Sequence, residues 1–237
     1  MKIRLIALLL AFCCPASARE TWPSDPAAVA FMKQTVATYL ALQTYQDRGR
    51  SSQTLKFYPE DGDAAIVVVE FSTSFKRPRR FKFEWTTSRD FGDGLDVDKN
   101  AIWSDGAKVW SWSSNELNPE REDNLNMAVA GATGISQGMA HEIFRLLSDE
   151  VTGFRFDQLK RLKLLGSEKV GGVECTIVHG FQYDNDVKLW IGKEDHLIRK
   201  GVETTPDTNT NTFERTDIVV DGEIADADFV FRNTKVK

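Results

Sequence analysis

Cysteine is nearly missing from this chain. Of 237 residues only three are Cys, and two of them, Cys13 and Cys14, fall within the first fourteen positions. Loss of an N-terminal leader would leave Cys175 alone, so no intrachain disulfide framework is available. Cys175 sits in an alternating strand-like run and reads as a small buried hydrophobe. Histidine is as scarce, with only His141, His179 and His196. His141-Glu142 opens like a zinc-protease motif, but Arg145 stands where the second histidine would have to be, one helical turn on, so the ligand pair does not form. No Gly-x-Ser-x-Gly, Cys/His or paired-carboxylate context surrounds any histidine. No phosphate-cradling glycine loop leads into a helix. These absences argue against an enzyme, with a secreted hydrolase as the remaining catalytic alternative, and they imply no cofactor, no metal and no catalytic residues. Positive charge is not in excess either: 30 Lys+Arg against 35 Asp+Glu give a net charge of −5. Without a basic stripe, a nucleic-acid partner is excluded. Beyond the N-terminus no run approaches the ~20 apolar residues a membrane-spanning helix needs.

What is present begins with an export signal. Lys2 and Arg4 precede an apolar stretch over residues 5–14, and Ala16-Ser17-Ala18 follows as a small-x-small cleavage site. Pro15 breaks the apolar run, and Phe12 before Cys13 is unsuited to lipid attachment. The expectation is a cleaved signal peptide over residues 1–18, a single domain over 19–237 beginning at Arg19, and a soluble periplasmic monomer.

Ser24-Asp25-Pro26 is a helix start, a capping side chain followed by proline in the first turn. Val29, Met32, Val36 and Leu40 continue it at helical spacing. Strands follow. Residues 53–57 form a short run. Val67, Val69, Phe71, Thr73 and Phe75 share one face of a longer one. Phe81, Phe83 and Trp85 alternate with Arg80, Lys82 and Glu84, as a half-buried strand requires. Ser104-Asp105-Gly106 turns a hairpin over 101–113, with Trp110 and Trp112 on one face of its second arm. Two helical pieces, near 125–132 and 137–147, form an insertion spanning about 125–148. Met139, Ile143, Leu146 and Leu147 lie on one stripe of the second. Further strands are expected at 159–170, 175–183, 187–191, 197–203 and 213–220, and Phe229 and Phe231 alternate near the end. Asp93, Asp96 and Asp98, beside Gly92 and Gly94, read as a solvated acidic turn, and Asp221, Asp226 and Asp228 read likewise. Successive strands without intervening helices indicate an antiparallel sheet in an α+β, mainly β protein. About eleven strands from one chain predict strong curvature or closure.

Phe75-Lys76-Arg77-Pro78 and the aromatic strand Phe81-Lys82-Phe83-Glu84-Trp85 resemble the strand–corner–strand of the LolA-type lipoprotein carriers. Trp103-Ser104-Asp105-Gly106-Ala107-Lys108-Val109-Trp110 is similar to that family's Ser-Asp-Gly-Lys hairpin. Lys188-Leu189-Trp190-Ile191 and Leu197-Ile198-Arg199-Lys200 resemble its late strands, and Asp226-Ala227-Asp228-Phe229-Val230-Phe231 its closing segment. The resemblance runs from Asp25 to Phe231. It departs at Arg232-Asn233-Thr234, where the carriers usually have a Pro-Pro pair, and across 114–165, which points to a divergent member. It implies a strongly curved, incomplete half β-barrel with helices plugging the concave face. It implies a carrier that shields the acyl chains of a lipoprotein or lipid under a helical lid, with an inner- or outer-membrane protein as a further partner. An envelope sensor or protein-interaction module on the same fold is the alternative. By the same resemblance Arg77 is the lid latch. Phe71, Phe81, Phe83, Trp85, Trp110, Met139, Ile143 and Leu147 are the candidate cavity wall and lid. An acyl chain left in water costs about 0.8 kcal/mol per CH₂, so such a carrier must offer a large apolar surface.

Overall fold

The computed structural model of the chain describes residues 23–56, 64–90 and 94–231. The leader expected at 1–18, Phe57 at the end of the first short run, Gly92 and Asp93 of the acidic turn, and Arg232-Asn233-Thr234 lie outside the described residues. Helix α1 (Pro26–Ala41) starts where expected: the Asp25 carboxylate accepts from the Ala27 N–H at 2.9 Å, and Pro26 takes the first turn, where its missing N–H is no loss.

Eleven strands follow: β1 (Thr44–Lys56), β2 (Ala64–Lys76), β3 (Arg80–Asp90), β4 (Leu95–Asp105), β5 (Val109–Ser113), β6 (Glu120–Glu122), β7 (Lys160–Val170), β8 (Val173–Gln182), β9 (Asn185–Gly192), β10 (Ile198–Thr204) and β11 (Thr210–Val220). They form one antiparallel sheet in the order β6-β5-β4-β3-β2-β1-β11-β10-β9-β8-β7. The first and last strands pair at its middle, and the meander runs outward from them in both directions. β6 and β7 are therefore opposite edges, although they are consecutive in the chain. The segment between them has to cross the whole sheet, and it carries helices α2 (Leu125–Ile135) and α3 (Met139–Leu147) over one face. The topology thus explains why the helical insertion covers the sheet.

The expected strongly curved half-barrel is not what forms. The sheet is open, and its edge strands β6 and β7 have no strand partner on their outer sides among the described residues. Strong curvature needs bulges and glycine kinks at the bends. Here β1 and β2 pair in unbroken register from Thr44–Lys76 to Lys56–Ala64, and β2–β3 and β3–β4 are as regular. Among the described residues, register shifts occur only at the β1–β11, β9–β10 and β7–β8 pairings. Strand number alone does not force closure, since open sheets of about 8–15 strands occur. The helices, not a curled sheet, cover the apolar face.

Two strands run longer than their alternation suggested. β1 begins at Thr44 because its helix-facing residues, Tyr45, Asp47, Gly49 and Ser51, are mostly polar or small and give no apolar alternation, yet Tyr45, Asp47 and Ser51 are buried. β4 begins at Leu95, extending through charged residues. Phe229 instead ends a 3-10 turn, Asp226–Phe229, and Phe231 lies just beyond it. The acidic turns are not simply solvated. Asp96 and Asp98 pair with Arg89 at 2.9 and 2.7 Å, Asp226 pairs with Lys76 and Arg80, and Asp221 accepts from the Gln43 N–H at 2.7 Å.

A single hydrophobic cluster joins the three helices to the sheet. Glycine permits two of its closest contacts. A Cβ at Gly49 would run into the Phe71 ring, and one at Gly201 into the Phe213 ring, so both aromatics lie flat across neighbouring backbone.

Candidate functional site between the sheet and the helical insertion

Strand parity decides which candidate residues meet. Phe71 is opposite Trp85, and Phe75 opposite Phe81, on β2 and β3. Phe71, Phe81, Phe83 and Trp85 are buried, as are Met139, Ile143 and Leu147 of α3, all within the cluster under the helices. Seven of the eight candidate wall and lid residues are therefore brought together. Trp110 is not: it is opposite Trp103 on β4, whose neighbour on β3 is Lys82, and this row faces away from the helices. There its ring stacks on Trp103 at 6.5 Å.

Helix α3 lays its apolar stripe on these aromatics. Phe144, which periodicity did not single out, is the central contact, 5.1 Å from Phe81 and 6.1 Å from Phe83 between ring centroids, edge-on to both. Phe83 in turn packs on Phe71 at 5.8 Å and on Trp85 at 5.4 Å. Edge-on and offset pairs of this kind add to burial itself. Helix α2 buries Leu125, Ala128, Val129 and Ala132, two of them alanines.

The insertion is fastened to the sheet at two places. At the far end of α3, Arg77 uses its planar fork: Nη2 donates to Leu147 O at 3.0 Å and to Leu40 O at 2.6 Å, and Nε donates to Leu42 O at 2.7 Å. One guanidinium so ties the ends of α1 and α3, where helix carbonyls lack partners. The second fastening is the α2–α3 junction. Ile135 O accepts from Thr87 Oγ1 at 2.9 Å and from Trp85 Nε1 at 3.3 Å. Gln137 accepts from Ser51 Oγ at 2.8 Å, donates to Val67 O at 3.0 Å, and its carbonyl accepts from Asn211 at 3.3 Å. Nothing in the sequence marks this junction, because isolated polar residues in strands and turns carry no periodic signal. α3 itself starts without a side-chain cap, at Gly138 with φ of 85°.

Beneath the helices lies a buried charge pair that the sequence did not announce. Asp47 Oδ2 accepts from Arg215 Nη1 at 2.6 Å and from the Tyr45 hydroxyl at 2.7 Å. The Arg215 guanidinium also lies over the Phe71 ring at 4.9 Å. Burial pulls the arginine down, but Asp47 and the tyrosines more than restore it, so it stays charged above its ordinary range. Burial pushes the Tyr39 hydroxyl up to about 12. Tyr45 is raised as well, by burial first and then by Asp47.

Glu142, on α3, has the most altered carboxyl among the described residues. Its Oε2 is out of contact with water and has no hydrogen-bond partner. Burial, helped by Glu203 and opposed by Arg215, raises it to about 8. With Glu203, Gln137, Phe154 and Phe156 it lines a hollow of about 170 Å³. Nearby on α3, His141 and Arg145 bond the carbonyls of Thr152 and Gly153. A second hollow of about 130 Å³ lies by Phe75, Phe81 and Leu125. No group of three or more His, Cys, Asp or Glu side chains suited to a metal exists among the described residues. Cys175 is buried, and burial pushes its thiol up, as for an inert packing residue.

The architecture is a two-layer one, an antiparallel meander with helices on one face and, among the described residues, no catalytic cluster. The chain belongs to the family described as Predicted periplasmic protein (DUF2092), whose model matches residues 28–236. The compartment agrees with the export expected from the leader at residues 1–18. Comparison with curated proteins finds no match. Among solved structures, the chain is similar to LprF from Mycobacterium bovis, with 9% identity, a TM-score of 0.51, and coverage of 86% of this chain and 97% of that one. It is similar to MucB, with 12% identity and a TM-score of 0.48; the match covers 89% of this chain but only 65% of the MucB chain. A LolA superfamily protein from Nitrosomonas europaea matches with 10% identity and a TM-score of 0.34, covering 86% and 97%. The likeness to LprF is one of fold alone.

Proposed function

We propose that this protein is a non-catalytic periplasmic binding or carrier protein for an acylated ligand, a lipoprotein or a lipid. The ligand's chain would lie between the aromatic face of β2–β3 and helices α2 and α3, which act as a lid latched by Arg77. One observation carries this reading. α3 presents a wholly apolar stripe to a row of aromatic rings, yet at each end it is fastened through side chains bonding backbone carbonyls, contacts that can be undone without unfolding the sheet.

In this conformation the rings and Phe144 fill the space. Hollows of about 170 and 130 Å³ fall below the roughly 300–1,000 Å³ of ordinary ligand pockets. The conformation corresponds to the closed state. Entry of a chain requires α3 to lift, exchanging its contacts with Phe81 and Phe83 for contacts with methylenes. Only differential affinity for the lifted state can drive that exchange, and the balance is feasible because each buried CH₂ returns about 0.8 kcal/mol.

The test is native mass spectrometry with lipid extraction of protein purified from the periplasm, alongside titration with a fluorescent fatty-acid probe. Acyl species should co-purify, and Arg77→Met should increase probe binding by loosening the α1–α3 tie. Absence of lipid, together with no probe binding by either protein, would sink the carrier reading. A stable envelope-protein complex in pull-down from the same preparation would then favour the sensor alternative.

A further inference from the structure

The face of the sheet turned away from the helices carries a second concavity, unrelated to the lid. In register across β1 to β5, Arg48 lies opposite Ser72, Ser72 opposite Glu84, Glu84 opposite Ala101, and Ala101 opposite Trp112. The next row reads Arg50, Glu70, Thr86 and Lys99. The short side chains of Ser72 and Thr86 line the hollow among the longer ones of Arg48, Glu70, Glu84 and Lys99. The C-terminal segment raises a wall beside it. Asp226 is pinned by Lys76 at 2.9 Å and Arg80 at 3.1 Å, Phe229 is fully buried, and Phe231 then lies against Trp112 at 5.0 Å and Trp103 at 4.8 Å. The resulting hollow has a volume of about 420 Å³, within the roughly 300–1,000 Å³ of small-ligand sites.

Its polar groups are unspent. Arg48, Glu70 and Lys99 line the hollow, are exposed, and their side chains have no ion pair or hydrogen bond among the described residues. Glu84 is held by Lys82 at 3.1 Å. The Trp112 indole N–H is buried without an acceptor, an unmet donor of the kind folded proteins rarely leave. Arg48 and Lys99 stand beside Glu70 and Glu84 in the lining, so donors and acceptors face the same ligand. An acyl chain would strip water from these charged groups without replacing its hydrogen bonds.

We infer that this outer hollow is a saccharide-binding site, taking a neutral sugar ring against Trp112 and Phe231. A pyranose matches it on both counts. Its C–H face suits the negative face of an aromatic ring. Its hydroxyls both donate and accept, so they can give to Glu70 and Glu84 and receive from Arg48 and Lys99. The sugar could be a free saccharide or the headgroup of a glycolipid; the chemistry recognised is the same.

The experiment is an NMR titration following the tryptophan indole resonances. Probes are maltose and N-acetylglucosamine disaccharide, with glucuronate and glycylglycine as charged and zwitterionic controls, and octyl glucoside below its micelle threshold. At least one neutral sugar should shift the Trp112 resonance saturably. Glu70→Gln and Arg48→Met should each weaken that binding about tenfold, as expected for loss of a charge-assisted hydrogen bond. Neither side chain holds a hydrogen bond or ion pair among the described residues, so the variants should fold normally. Equal affinity for octyl glucoside and free sugar points to a free saccharide. Tighter binding of octyl glucoside that is still weakened by Glu70→Gln points to a glycolipid headgroup. The inference is overturned if no neutral sugar binds, if glucuronate or glycylglycine binds more tightly, or if binding ignores both substitutions. The lid reading is untouched by any of these outcomes, because it concerns the other face.

Discussion

The two faces of strands β1 to β5 are made from the same strands taken at alternate residues, and they differ in almost every physical respect. The helix-side face carries Phe71, Phe81, Phe83 and Trp85, fully packed under α3. The outer face carries Arg48, Glu70, Glu84 and Lys99, with aromatics only where the C-terminal turn covers them. Cover, not strand composition, divides the molecule. Where a helical crossover spans the sheet, the face becomes core; where only a short turn reaches, polar side chains remain and a hollow persists.

The sharpest way to test that division is to cut a hole on the covered side. Phe144→Ala removes the ring seated on Phe81 and Phe83, and should cost about 3–5 kcal/mol of stability by denaturant unfolding. A loss below about 1 kcal/mol would mean that α3 is barely docked. Next comes the buried pair of the inner face. Asp47→Ala strands Arg215 without its counter-charge, and roughly 3–5 kcal/mol should be lost. Replacing both, Asp47→Leu with Arg215→Met, should recover most of it; failure to recover would show that the pair itself, and not its imbalance, holds β1 to β11.

Glu142 gives a smaller, pH-dependent effect. Its carboxyl is at about 8 in the folded protein against an ordinary 4.5. The unfolded chain therefore releases its proton first, and stability falls as pH rises from about 4.5 to about 8. Glu142→Gln should abolish that slope. It should leave the protein nearly unchanged at about pH 4.5 and more stable at about pH 8.5, by roughly 1–3 kcal/mol, less than the ~1.4 kcal/mol per raised unit would give because the side chain is only part-buried and partly screened. Thermal melts at the two pH values decide it, and equal shifts at both would disprove the assignment. The smallest effect belongs to the outer face, where Glu70→Gln should change stability by no more than about 0.5 kcal/mol, whatever it does to sugar binding.

Much of the fold was legible in the order of the residues. The Asp25-Pro26 start of α1, the Phe81-Phe83-Trp85 alternation of β3, and the stripe Met139, Ile143, Leu147 of α3 are all local signals, and the molecule carries each where its period places it. Arg77 stood out only through its corner motif, and it does reach carbonyls of α1 and α3. The junction residues Ser51, Thr87, Gln137 and Asn211, and the pair Asp47–Arg215, were not legible. Each is a polar residue whose partner lies far away in the chain, and no spacing rule links two positions 168 residues apart.

What the sequence by itself determined is the parts: an exported chain, an antiparallel run of strands with two-sided patterning, a helical insertion, and no metal, nucleotide or nucleophile motif. What the tertiary structure decided is how those parts are used. It left the sheet open where a strongly curved half-barrel was expected, with the β1–β2, β2–β3 and β3–β4 ladders in unbroken register. It sent Trp110 and Trp112 away from the helices while keeping Phe83 beneath them. The reason is the two-residue period of a strand: alternation states that there are two faces, and only the register with neighbouring strands and the path of the crossover settle which one is buried.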